Sequence, residues 1–107
     1  MENQKVASGK RTFQEIVQQE ALVLVDFYTN WCGPCKMLKP ILEQLHEQEG
    51  DHVRILKVDV DKNRKAAEVY QIRGVPTLIL FKNGKIAWTQ SGVVPLATLR
   101  QVIAEYK

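Results

Sequence analysis

This chain is short of cysteine, of histidine and of long apolar runs, and each shortage excludes a class of function. Its longest apolar stretches, Ala21 to Val25 and Val75 to Phe81, fall far below the roughly 20 residues that span a bilayer, so no membrane partner is expected. Met1 to Glu20 mixes Glu, Lys, Arg and Gln without an apolar block. No secretory signal is therefore expected, and the chain is expected to stay in the cytoplasm. Tetrahedral zinc needs four ligands, and beyond two cysteines the sequence holds only His46 and His52, neither at a paired spacing, so the metal reading is set aside. The net charge of +3 comes without a basic stripe interleaved with aromatics. Its densest group, Lys62, Arg64 and Lys65, reads as a solvated helix start rather than a nucleic-acid face. There is no internal repeat, low-complexity segment or linker. With 45 % hydrophobic and 25 % charged residues over 107 positions, a single soluble domain, residues 1–107, is expected.

What is present reads as alternating strands and helices. A weakly patterned region around Val6 precedes Thr12-Phe13-Gln14-Glu15, which has capping-box form, and Phe13, Ile16 and Val17 share a face, predicting a helix from about Arg11 to Gln19. Ala21 to Tyr28 is nearly all apolar and fits a central strand covered on both faces. The next helix runs from near Pro34 to about Glu49, with Cys35, Leu38, Ile41, Leu42 and Leu45 inward. Pro34 suits the first helical position, whereas Pro40 lies inside the pattern, where a kink is expected. Gly50 and Asp51 end that helix. A strand from Val53 to Val60, a helix from Asn63 to Tyr70, and a strand over Leu78 to Phe81 follow. Lys82-Asn83-Gly84-Lys85 is a hairpin signal that pairs this last strand antiparallel with Ile86 to Ser91. Leu96, Leu99, Val102, Ile103 and Tyr106 mark a final helix beginning near Pro95. The order β-α-β-α-β-α-β-β-α predicts an α/β fold, a central mixed five-stranded sheet with helices on both faces.

The chemistry gathers at Trp31-Cys32-Gly33-Pro34-Cys35-Lys36, a strand-to-helix turn holding both cysteines. A first cysteine at a helix N-terminus meets unpaired N–H groups and the positive end of the macrodipole, which favour the thiolate. Cys32 is thus the expected nucleophile, partly exposed. Cys35, one turn further in and more buried, is placed to resolve a mixed disulfide and close an intramolecular one. In a reducing compartment such a pair is catalytic or redox-sensing more often than structural. Asp26 interrupts an apolar strand, and a buried acid must be solvated, paired or protonated. Lys57 interrupts the next strand, and the two charges are most simply neighbours across adjacent strands. A merely structural ion pair would add little over an apolar one, which favours a functional role. Trp31, in a polar turn, is expected to border the site rather than pack in the core.

With Val25-Asp26-Phe27 before it and Gly74-Val75-Pro76-Thr77, Phe81-Lys82-Asn83-Gly84 and Gly92 after it, this stretch resembles the thioredoxin family nearly end to end. The resemblance implies a thioredoxin fold and a general protein-disulfide reductase. It needs no bound cofactor: NADPH and FAD enter only through a separate thioredoxin reductase that recharges the disulfide. It also implies that Asp26 moves a proton to and from the buried cysteine. Sequence alone favours a trans Val75-Pro76 bond, whereas the resemblance implies a cis one set against the disulfide, with Val75 hydrogen-bonding an extended substrate. Trp31, Gly33, Pro34, Gly74, Val75, Pro76, Gly92 and Val93 would form that docking surface. Disulfide-bearing proteins would be the partners of a monomeric chain. The sequence departs from the common family pattern at Tyr28, Asn30 and Trp88, which bears on partner preference and redox tuning. Two other classes stand beside this reading: an oxidant of folding proteins, against which Gly33-Pro34 and the absent signal argue, and a binding module indifferent to its thiols.

Overall fold

The computed structural model describes residues 11–107. In chain order it forms α1 (Phe13–Gln19), β1 (Leu22–Tyr28), α2 (Gly33–Glu49), a 3-10 turn (Gly50–His52), β2 (Arg54–Asp59), α3 (Arg64–Val69), β3 (Thr77–Lys82), β4 (Lys85–Ser91) and α4 (Leu96–Tyr106). Each element falls within a residue or two of the range read from periodicity. Among the described residues the sheet has four strands, in the order β2-β1-β3-β4. A fifth strand around Val6 lies outside the described residues.

Local chemistry sets most of the boundaries. Thr12 caps α1 with a full capping box: its Oγ1 accepts from the Glu15 N–H at 3.1 Å, and Glu15 accepts from the Thr12 N–H at 2.8 Å. Pro34 sits in the first turn of α2, and Pro40 lies within the helix on an exposed position. Asn83 and Gly84 have φ of 51° and 83°, the left-handed pair that an Asn-Gly hairpin turn requires.

Alternation along the strands divides the core in two. Val23, Val25 and Phe27 of β1 pack with α1 and α3 through Phe13, Ile16, Val17 and Ala66. Leu22 and Leu24 pack with α2 and α4 through Leu38, Leu42, Leu45, Leu99 and Ile103, with Ile41 half-buried beside them. Asp26 and Tyr28 continue the second set, so they face the α2 layer. Lys57, two residues after Ile55 on β2, faces it too.

The sheet directions decide what meets at the carboxyl end of β1. β2 runs parallel to β1, while β3 is antiparallel to β1 and β4 to β3. Phe27 pairs with Thr77, and Thr77 with Ser91. The start of β3 and the end of β4 therefore lie beside the turn that follows β1. Three loops distant in sequence converge there.

Candidate active site

Cys32 is the N-cap of α2 and is joined to Cys35 in a disulfide, with their Cα atoms 5.3 Å apart. The Cys35 N–H points at the Cys32 sulfur at 3.1 Å. One of the orphan donors of the helix end thus faces the first sulfur, where it stabilises negative charge once the bond is opened. Exposure, in contrast, does not separate the two cysteines: each is 4 % exposed. The expectation of a partly exposed Cys32 is corrected to this extent, because in the oxidised pair the Cys32 sulfur is tied down against Cys35. The difference between the two lies in the donor aimed at Cys32.

The Val75–Pro76 peptide is cis, and the Val75 carbonyl oxygen lies 3.7 Å from the Cys32 sulfur. Val75 stands outside β3, which begins at Thr77. Its loop is fixed by Thr77 Oγ1 donating to the Gly74 carbonyl at 2.7 Å and by the Gly92 N–H donating to the Pro76 carbonyl at 2.8 Å. The last bond brings Gly92 and Val93 to the same end, and φ of +91° at Gly92 is a conformation that favours glycine. Trp31 is 73 % exposed and donates its indole N–H to Asp61 at 2.9 Å. It is a surface residue tied to the β2–α3 loop, and core packing is excluded for it. Gly33, Pro34, Gly74 and Val93 are exposed as well, with Val75 and Gly92 half-buried.

Asp26 is wholly buried, and neither carboxyl oxygen has a hydrogen-bond partner among the described residues. Burial pushes its pKa from 3.8 up to about 6, against the opposing pull of Lys57. The two residues are register partners on β1 and β2, but they do not form a direct ion pair. The Lys57 ammonium instead lies over the Tyr28 ring, 4.6 Å from its centroid. An aromatic face two residues further along β1 competes with the carboxylate for the cation. The pairing read from sequence is corrected to a longer-range Coulombic one. Asp59 is also buried, and receives the Asn30 side-chain amide at 3.3 Å and the Asp61 N–H at 2.9 Å. Asp59 and Asp61 lay outside the sequence reading. The only available signal was two acids at the end of an apolar strand, which is common at any strand exit.

No group of three or more metal-ligating side chains gathers among the described residues, and His46 is exposed on α2. No described helix is long and apolar enough to cross a membrane. A pair of thiols that close a disulfide at a helix start, with a donor on the first sulfur and a buried acid on the strand leading in, can exchange disulfides by itself.

The family model described as "Thioredoxin" matches residues 4–105. The thioredoxin of Bacillus subtilis (strain 168) is 40 % identical over 87 residues, covering 81 % of this chain and 84 % of that one. That of Acidithiobacillus ferridurans is 44 % identical over 85 residues, 79 % of each. Among solved structures, a point-mutant thioredoxin from Halobacterium salinarum NRC-1 superposes with a TM-score of 0.82 at 40 % identity, over 92 % of this chain and 85 % of that one.

Proposed function

The chain belongs to the thioredoxin family and is a thiol-disulfide oxidoreductase whose redox group is its own Cys32–Cys35 pair; from that premise we propose that it is a general protein-disulfide reductase, recharged by a separate thioredoxin reductase. The Cys32 thiolate attacks one sulfur of a target disulfide, the target S–S bond breaks, and one target thiolate leaves. The mixed disulfide is then attacked by Cys35, whose proton passes to the Asp26 carboxylate, with Lys57 tuning that acid through its charge. The second target thiolate leaves and takes up a proton. The target has gained two electrons and the chain holds the Cys32–Cys35 disulfide again. An extended target segment lies on Trp31, Gly33, Pro34, Gly74, Gly92 and Val93, and makes a short strand-like contact with Val75 beside Pro76. We place this chemistry in the cytoplasm, in a monomer formed as one domain over residues 1–107.

The observation that carries the reading is the Cys35 N–H directed at the Cys32 sulfur, because it makes the first cysteine the better thiolate. The test couples NADPH oxidation by a bacterial thioredoxin reductase to reduction of insulin. Turnover that depends on this chain supports the reading, and NADPH left unconsumed refutes the recharging step.

A further inference from the structure

Beside the disulfide lies a second, smaller feature, of which Thr29, Asn30, Lys36 and Lys39 have no part in this mechanism. A cleft of about 190 Å³ is lined by Cys35, Thr29, Asn30, Tyr28 and three lysines, Lys36, Lys39 and Lys57. It shares no lining residue with the Val75, Pro76 and Gly92 surface. Its volume is below the roughly 300 Å³ at which small-molecule sites begin, so it suits a single side chain or a small ion.

Three further observations define what fits. None of the three lysines is engaged in a salt bridge with a described residue. Thr29 is 3 % exposed, and its hydroxyl is buried without a hydrogen-bond partner among the described residues. A buried hydroxyl left unmatched is uncommon, and a ligand oxygen would satisfy it. No acidic residue lines the cleft: Asp59 holds the Asn30 amide and the Asp61 N–H, and Asp26 is wholly buried beside Lys57 in the strand register.

We propose that this cleft binds a carboxylate side chain of the disulfide-bearing partner, so that an acidic residue near the target cysteine favours its reduction. The inference rests on the reductase reading above. Cys35 forms one wall, so a segment whose cysteine is bonded to Cys32 carries its neighbouring side chains within reach of the three ammonium groups. A free oxyanion such as phosphate shares the same chemistry, and the experiment separates the two sources.

The test compares short disulfide-bridged peptides that differ only in Glu, Gln or Lys beside one half-cystine, with dithiothreitol recycling the chain. The expected kcat/KM is about fivefold higher for Glu than for Gln, the scale of one exposed charge pair, and lower still for Lys. At about 1 M salt, where the screening length is about 3 Å, the Glu preference falls toward one. It also falls in Lys39→Gln and in Thr29→Val, the latter keeping the side-chain shape without the hydroxyl. Equal rates for Glu and Gln, or a preference untouched by both substitutions, overturn the proposal while the reductase reading stands. Inorganic phosphate is expected to compete with the Glu peptide and to leave the Gln peptide unaffected. Phosphate perturbing the amide resonances of Thr29 and Lys39, without any Glu preference, would overturn substrate docking in favour of a free-ion site. Reduction of neither peptide overturns both readings.

Discussion

Among single residues, the buried acid Asp26 has the largest expected effect on stability. Its carboxyl is fully buried and titrates at about 6 instead of 3.8. Because the folded-state pKa is raised, both states are protonated well below pH 3.8 and nothing is lost there. As pH rises from 4 to 6 the unfolded chain releases its proton while the folded one retains it. Above 6 the full penalty is present, about two pH units at 1.4 kcal/mol each, or about 3 kcal/mol. Asp26→Ala is therefore expected to be more stable than the parent at pH 8 by about 2 kcal/mol, after a cavity term of about 1 kcal/mol. Urea unfolding at pH 8 and at pH 4 checks this: at the lower value the ionisation penalty is nearly gone, and the cavity term leaves the variant slightly less stable than the parent. The same variant is expected to reduce disulfides about tenfold to a hundredfold more slowly, near the low end for a positioned base, since part of Cys35 ionises unaided. For the cysteines, Cys35→Ser should accumulate a mixed disulfide through Cys32, visible by non-reducing electrophoresis and mass spectrometry. Trapping by Cys32→Ser instead would reverse the order of attack. Asp26 was legible because a charge inside Leu24-Val25-Asp26-Phe27 has no innocent place in a two-sided core. The position of the Lys57 ammonium was not, because the register that brings it to Asp26 also brings it to the Tyr28 ring, and sequence does not weigh the two attractions.

Among the elements, the boundaries are held by short polar motifs, and these can be tested one at a time. Thr12→Ala removes the Oγ1 that accepts the Glu15 N–H and is expected to lower stability by about 1 kcal/mol, read as a shift in urea midpoint at constant m-value. At the other end of the sheet, Glu49 closes α2 with its side chain 4 % exposed, and bonds Arg100 on α4 at 3.0 Å and Lys107 at 3.3 Å. The Arg100 hydrogen bond, chiefly, holds its pKa below the usual carboxylate range, against the opposing effect of burial. A lowered acid stabilises the fold above its ordinary pKa, and that contribution fades as pH falls through the lowered value. Glu49→Gln is thus expected to lose about 1 kcal/mol at pH 7, the partners being half-exposed, and to approach the parent in strong acid. Thermal melts at both pH values check it. Glu49 was not legible as a joint, since it follows Glu47 and Gln48 on a helix end that reads as solvated. The helices themselves were legible because their apolar spacing is regular. The 3-10 turn after α2 was not, as Gly50 and Asp51 announce a stop without specifying its geometry.

Over the whole molecule, function depends on convergence: β1 ends at the disulfide, β3 starts there, and β4 finishes there. Hydrophobic patterning found the strands, but the antiparallel direction of β3 against β1, which brings Val75-Pro76 to Cys32, was not read: the only antiparallel pairing expected was that of the closing hairpin. Alternation of strand and helix by itself does not fix strand direction, and nothing in Gly74-Val75-Pro76 marks a cis bond. The nucleophile pair was legible from spacing and position. Its partners across the site were not, for they lie far along the chain and meet it only through the sheet register. Together these parts are expected to make the chain pass electrons to protein disulfides through Cys32 and Cys35. The precipitation of insulin by reduction, with dithiothreitol as the electron source and turbidity as the readout, tests this. The chain is expected to shorten the lag and raise the rate well above dithiothreitol alone, and a Cys32→Ser, Cys35→Ser double variant is expected to abolish the effect. A rate equal to that of dithiothreitol alone, or a double variant as active as the parent, would contradict it.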